Sequence, residues 1–382
     1  MDFAFGARDE AFRAEARAWL AAHRGTATRG RAWERALGAA GWIGLGWPET
    51  GYGNRTATLT QQVVWAEEYA RCGAPPRSGH IGENLLAPTL LAHGDTGQKR
   101  RFLPPVAAGE ELWCQGYSEP GAGSDLAGVR TAAVRDGAYY RISGQKIWTS
   151  LAHEADWCFV LARTDPRSRR HHGLSFLLVP MDQPGRIEVR PIRQLTGTSD
   201  FNEVFFDGAR ARVEHVVGAE GQGWRVAMSL LGFERGVSTL AQQIGFAREL
   251  AQVVAAAVES GAARDPVLRA RLVRQWAELR AMRLHALRTL GGPGGPGAPS
   301  VAKLLWANWH QRLGELAVQV RGAEAAAGPA DWSAGAPYEI DAAQHLFLFS
   351  RADTIYGGSD QIQRTIIAER VLGLPAEAKG AV

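Results

Sequence analysis

From residue 8 to about residue 112, apolar side chains return at the spacing of a helical face. The segments RDEAFRAEARAWLAAH, RAWERALGAAG, TLTQQVVWAEEYAR, APTLLAHG and GQKRRFLPPVAAG carry this pattern and are separated by Gly/Pro turns. Beyond Gly116 the period shortens. VRTAAVRDGAYYRIS sets an Asp136-Gly137 hairpin signal between alternating runs, and the short apolar segments DWCFVLAR, LSFLLVP, IEVRPI and NEVFFDGARA follow. After GAEGQGW the helical spacing resumes, with Phe246, Leu250, Val253, Val254, Ala257 and Val258 on one face. Leu272, Trp276 and Leu279 continue it, and then Leu305, Trp309, Leu313, Leu316 and Val320. The pattern predicts an α+β multidomain chain: an N-terminal helical domain over residues 1–113, a central antiparallel β domain over 114–217 and a C-terminal helical bundle of four-helix type over 218–382.

Composition supports packed domains rather than disorder, because 382 residues with 46 % hydrophobic and 21 % charged side chains supply more than one core. The N-terminus carries acids at Asp2, Asp9 and Glu10 and lacks a continuous apolar stretch, so it reads as an amphipathic helix and not a secretory leader. No window approaches the roughly 20 apolar residues of a membrane span. Cys72, Cys114 and Cys158 are widely spaced and adjoin no histidine pair, which predicts neither a disulfide framework nor a metal site and points to a reducing, cytoplasmic setting. The net charge is only +4 and the basic residues are scattered through helices, so no nucleic-acid partner is expected.

The stretch GGPGGPGAPS spells G-x-G-x-x-G at Gly292, Gly294 and Gly297. It follows a helix and is broken by Pro293 and Pro296, so it is a loop between helices and not a dinucleotide fingerprint. More chemistry gathers in CQGYSEPGAGSDLAG (114–128), where Gly116, Gly121 and Gly123 let backbone amides approach a ligand. Tyr117, Ser118 and Ser124 add hydroxyls; an ordinary Pro-Gly turn is the competing reading. In GQKIWTS (144–150), Trp148 and Ser150 stand two residues apart and share a face if the segment is a strand. An indole there could cover a flat ring beside a hydroxyl, or simply fill the core as one of thirteen tryptophans.

YSEPGAGSDLAG, SGQKIWTS, GAEGQGW, AVQVRGA (317–323) and IYGGSDQIQRTIIAERVLGLP (355–375), in this order and over nearly the whole chain, resemble the acyl-CoA dehydrogenase family. The resemblance implies an acyl-CoA dehydrogenase-like fold, bound flavin adenine dinucleotide (FAD), and a homotetramer built as a dimer of dimers. It implies that Tyr117, Ser118, Gly123 and Ser124 lie against flavin and acyl thioester, that Trp148 covers the flavin ring and that Ser150 approaches its edge. Arg264 would reach the pyrophosphate of a neighbouring subunit's FAD, although RDPVLRARLVRQ keeps mainly Arg264 and Gln275 of the family pattern. Gln319 and Gly322 would hold the adenine end, Ser359 and Gln361 would face the cofactor, and Ser124, Arg235 and Tyr356 would meet the substrate.

The reaction so implied removes an α proton from an acyl-CoA or acyl-carrier thioester and a β hydride to flavin, with electrons passed on to an electron-transfer flavoprotein. An α proton is weakly acidic, so its loss needs a desolvated carboxylate and donors aimed at the thioester carbonyl. Many members carry that glutamate directly after the tyrosine of the C-terminal motif, where this chain has Gly357. A second branch, similar to isovaleryl-type and long-chain enzymes, supplies it from an early helix of the C-terminal domain, which here selects Glu234, followed by Arg235. The apolar Leu230, Leu231 and Phe233 suggest a buried helix start there. Gly357 would then offer its backbone N–H to the carbonyl, while Glu119 orders the loop around it. The alternatives are a flavin-dependent oxygenase or oxidase on the same fold, one subunit of a heteromeric dehydrogenase, and a DNA-binding flavoprotein, for which no basic patch is visible.

Overall fold

The computed structural model of the chain describes residues 5–24, 30–233, 238–290, 295, 297–327 and 339–376. They fall into two compact units. One is built on Phe5–Gln194 and Ser199–Gly236, the other on Leu195–Thr198 and Val237–Val382.

The first unit begins with the helices α1 (Ala7–His23), α2 (Arg31–Ala39), α3 (Leu59–Cys72), α4 (Ala87–His93) and α5 (Thr96–Ala107). Local chemistry sets their starts. Thr58 with Gln61, and Asp95 with Gln98, form reciprocal capping boxes at α3 and α5. The core of α1–α3 is aromatic, with Trp42 and Trp65 stacked at 4.3 Å.

The strands are β1 (Trp113–Gly116), β2 (Ala132–Asp136), β3 (Tyr139–Ser150), β4 (Trp157–Arg163), β5 (Leu174–Pro180), β6 (Ile187–Ile192) and β7 (Phe201–Arg212), followed by α6 (Gly223–Phe233). They form one seven-stranded sheet in the order β1-β4-β2-β3-β7-β6, with β5 paired to β4. The pairing is mainly antiparallel, but β1 and β2 run parallel to β4. Periodicity reports faces, not strand direction, and so could not reveal this. In the β2–β3 hairpin Asp136 pairs with Tyr139, so the two loop residues are Gly137, at φ +59°, and Ala138. Asp136 thus closes the strand, and the glycine takes the first loop position, where a positive φ is needed. β4 is apolar throughout because both its faces are covered. Phe159 and Leu161 enter the core shared with α4, α5 and α6, and Cys158, Val160 and Ala162 enter the core under β3 and β7.

Lys146 on β3 has no access to solvent. Its ammonium donates to the Tyr117 and Leu161 carbonyls (3.0 and 2.8 Å) and to Glu119 (2.8 Å). Burial pulls the lysine below its ordinary pKa while Glu119 pulls it back. Burial likewise acts to raise the Glu119 carboxyl, but the Lys146 charge and the Arg130 and Thr131 amides hold it below the usual carboxylate range.

The second unit contains α7 (Ser238–Glu259), α8 (Pro266–Leu290), α9 (Ala298–Arg321), α10 (Ala342–Ser350) and α11 (Asp360–Ile366). Phe246, Leu250, Val253, Ala257, Leu272, Leu279, Trp309, Leu313, Leu316 and Val320 form its core. Val254, Val258, Trp276 and Leu305, expected on the same faces, are exposed. Val254 and Val258 each follow a core residue by one position and are therefore rotated about 100° away from it. Among the described residues no helix is long and apolar enough to cross a membrane.

Removing one partner of a buried ion pair leaves the other charge unanswered, at about 3–5 kcal/mol. Lys146→Met is therefore expected to lower the urea midpoint markedly, and Lys146→Met combined with Glu119→Gln to recover most of the loss; equal midpoints for the wild type and Lys146→Met would refute the assignment.

Candidate functional site

In the sheet-containing unit the 117–119 segment is zipped onto β3. The Ile147 amide donates to the Ser118 carbonyl at 2.9 Å and Lys146 holds the Tyr117 carbonyl, so Tyr117 and Ser118 lie beside Trp148. The Tyr117 ring itself turns inward and meets Phe159 and Phe176 edge-on, which leaves its backbone as the part nearest the surface. The reading of Trp148 and Ser150 as strand neighbours on one face needs correction. A register shift between Lys146 and Thr149 places Trp148 at φ +59°, a left-handed conformation that a tryptophan adopts only under constraint. The bulge turns the indole outward, 56 % exposed, with Phe201 edge-on at 6.2 Å, while Thr149 is buried and Ser150 half-buried. The Asn202 amide pins the bulge by donating to the Thr149 carbonyl at 3.1 Å. Gly123 and Ser124 are exposed, and a side chain built on Gly123 would meet nothing within 4 Å.

In the helical unit Gly357 and Gly358 follow Tyr356 at φ +62° and +89°. A methyl on Gly358 would stand 2.3 Å from the Gln363 amide, which donates to the Gly357 carbonyl, so glycine is required there on two counts. The acids of this turn face inward. Asp353, 1 % exposed, accepts from the Tyr356 hydroxyl at 2.6 Å and from His310 Nδ1 at 2.6 Å. Asp360, also buried, accepts from Asn308 at 2.8 Å. The other ring nitrogen of His310 lies 2.9 Å from Glu249. Burial would lower the histidine pKa, but the hydrogen bonds to Asp353 and Glu249 dominate and push it up to about 9, so the ring is an imidazolium at neutral pH. Ser359 caps α11 by accepting from the Ile362 amide, and Gln361 is exposed on its first turn.

Arg264 is exposed on a short 3-10 turn between α7 and α8. Gln319, near the end of α9, accepts from Arg271 at 2.5 Å, and Gly322 follows the helix at φ +60°, ψ −135°, a glycine-only conformation. Between α8 and α9 lies a cavity of about 260 Å³ lined by Arg271, Arg274, Gln275, Glu278, Arg312 and Leu316. The side-chain amide oxygen of Gln275, Oε1, is buried there without a hydrogen-bond partner. The sequence reading passed over Arg271, Arg274 and Arg312, although Arg271, Arg274 and Glu278 recur at the 3–4 spacing of one helix face. It also passed over His310 and Asp353, which 43 residues of chain separate.

Glu234 and Arg235, expected as base and substrate contact, lie outside the described residues, as do Gly292 and Gly294. The apolar residues before Glu234 do not open a helix: Leu230, Leu231 and Phe233 lie within α6, which begins at Gly223.

Taken alone, each unit offers one feature that a flavin dinucleotide can use. An outward indole beside hydroxyls can cover a flat ring, and three arginines around an unpartnered amide oxygen suit a phosphate-bearing nucleotide. Three domain descriptions of the acyl-CoA dehydrogenase family match the chain: the N-terminal domain over residues 7–110, the middle domain over 114–209 and the C-terminal domain over 221–372. The chain belongs to this family and is an FAD-dependent oxidoreductase, an acyl-CoA dehydrogenase. It is 56 % identical to the acyl-CoA dehydrogenase IpdE1 of Mycobacterium tuberculosis, over 97 % of this chain and 99 % of the relative. It is 53 % identical to IpdE1 of Mycolicibacterium smegmatis, over 97 % and 98 %. Among solved structures, the Tcur3481-Tcur3483 steroid ACAD superposes with a TM-score of 0.84 at 31 % identity, over 99 % of this chain and 100 % of that one. The ChsE4-ChsE5 complex from Mycobacterium tuberculosis superposes with a TM-score of 0.80 at 29 % identity, over 99 % and 100 %.

The raised His310 pKa has a definite sign. The folded state holds the proton more tightly than the unfolded one, so the contribution is complete below pH ~6.5 and is lost as pH rises through about 9. Thermal unfolding from pH 6 to 10 is expected to show a loss on the order of 3 kcal/mol, which His310→Gln removes; a wild type and variant with parallel pH profiles would contradict it.

Proposed function

We propose that the chain catalyses α,β-dehydrogenation of a steroid-type acyl-CoA thioester to the trans-2-enoyl thioester, with electrons passed to an electron-transfer flavoprotein in the cytoplasm. The observation that carries this reading is the Gly357 turn, whose two acids are buried and engaged with Asn308, His310 and Tyr356, so that what it presents outward is backbone. A base must then enter from another segment. Glu234, in the stretch directly after α6, is that base, and it takes the α proton while the Gly357 amide donates to the thioester carbonyl and stabilises the charge developing on its oxygen. Bound FAD supplies the hydride acceptor.

Trp148 covers the flavin ring, Tyr117, Ser118, Gly123, Ser124 and Ser150 line its edge, and Ser359 and Gln361 face it from α11. Arg264, Gln319 and Gly322 hold the nucleotide end of a neighbouring subunit's FAD, with Arg271, Arg274 and Arg312 adding charge. Ser124, Arg235 and Tyr356 contact the acyl-CoA. Domain limits at 113/114 and 217/218 belong to the same reading. The steroid-type substrate is supported by the 31 % likeness to a steroid enzyme over 99 % of this chain.

The exposed Val254, Val258, Trp276 and Leu305 support an oligomer, read as a dimer of dimers. A second reading, in which this chain is one subunit of a heteromer, is favoured by its likeness to the paired Tcur3481-Tcur3483 steroid ACAD and ChsE4-ChsE5 complex. The chain purified alone then carries less than one FAD per protomer and gains it with a partner, whereas a homotetramer is saturated alone.

Glu234→Gln is expected to retain FAD and to lose flavin reduction by acyl-CoA at least 10²-fold, the usual scale for a general base. Anaerobic stopped-flow absorbance with a panel of steroid-side-chain and fatty acyl-CoA thioesters reads this, and bleaching at the wild-type rate would exclude Glu234.

A further inference from the structure

Beneath the Gly357 turn stands a second buried lysine that the reading above does not use. Lys303, on α9, is 6 % exposed and donates to the Asp353 carbonyl at 2.5 Å. Its ammonium lies 3.9 Å from the centre of the Trp306 ring and 4.7 Å from that of Tyr356. A methyl built on Gly357 would stand 3.8 Å from Lys303 Cε and 3.9 Å from Nζ, so the charge is one side-chain contact away from the glycine.

Other residues of α9 fix the rest of the turn: Asn308 binds Asp360, His310 binds Asp353, and Gln311 donates to the Arg351 carbonyl and the Thr354 hydroxyl. Asp353 in turn receives the Tyr356 hydroxyl, whose acidity is suppressed by burial and by that carboxylate. Every residue of this clamp acts on residues 351–360, and Lys303 is the clamp member against Gly357 itself.

We propose that Lys303 is a positioning residue for the dehydrogenation, holding the Gly357 turn in place and setting a fixed positive charge against the site of the thioester carbonyl. This rests on the reading in which the Gly357 amide meets that carbonyl. A cation held rigidly in a site shielded from water favours the enolate-like charge on the oxygen and costs no reorganisation when that charge appears.

The test uses the FAD-loaded enzyme and acetoacetyl-CoA, a thioester whose C2 proton passes to the enzyme base while the electron pair delocalises onto the carbonyl oxygens. The pH at which the bound probe ionises, read from enolate absorbance, reports stabilisation of that oxygen. Wild type is expected to ionise the probe well below its pH in solution. Lys303→Met and Lys303→Gln raise that pH by about one unit or more, about tenfold in ionised fraction, with FAD content unchanged, and Lys303→Arg restores most of it. Lys303→Gln keeps a donor for the Asp353 carbonyl and carries the test if Lys303→Met does not fold. Wild-type ionisation in Lys303→Gln overturns the role of the charge and leaves the carbonyl site standing; a wild type that does not ionise the probe overturns both.

Discussion

An ammonium removed from water must be answered by fixed oxygen atoms, and in each of the two units the candidate segment is organised around one. In the sheet-containing unit Lys146 gathers the Tyr117 carbonyl, the Leu161 carbonyl and Glu119, and thereby ties the segment after β1 to β3 and β4. In the helical unit Lys303 gathers the Asp353 carbonyl between two aromatic rings and so locates the turn that carries Gly357. Irregular backbone without regular ladder bonds would otherwise fray. A buried charge that can be satisfied in one arrangement only converts it into a rigid platform.

These platforms hold conformations that local preference opposes. Trp148 in the left-handed region costs of order 1–3 kcal/mol and persists because Asn202, Lys146 and the β7 pairing on either side over-determine it. The cost is offset by an exposed indole aimed away from the core, which a regular strand would have buried or splayed. At Gly357, Gly358 and Gly322 the same kind of geometry carries little strain because no Cβ is present. Strain and glycine thus do equivalent work, bringing an aromatic face in one place and backbone amides in the others to where a ligand can reach them.

The carboxylates divide in the same way. Glu119, Asp353 and Asp360 all lie in or beside motif segments, yet each is spent on structure: Glu119 on two amides and Lys146, Asp353 on His310 and Tyr356, Asp360 on Asn308. A carboxylate whose oxygens are committed to such donors is not free to take a proton from a carbon acid. Acids engaged in this way make the glycine turn a donor surface.

The helix–sheet–helix order and the family were legible in the chain, because helical and strand periodicities and glycine-rich turns are local properties that need no partner to be recognised. Even Glu119 could be set aside as a loop organiser from its place before Pro120. Parallel pairing of β1 with β4, the bulge under Trp148 and the outward face of Trp276 could not be read, since each depends on which neighbour lies alongside. The same holds for Lys303 beneath Gly357, for His310 between Glu249 and Asp353, and for three arginines around Gln275. Those groups are far apart along the chain, and their charges, exposures and pKa values come from the distance and burial that packing imposes. The sequence by itself determined which chemistry is carried and in what order; the tertiary structure decided which charges are buried, what answers them, and hence which backbone groups are held out for a ligand.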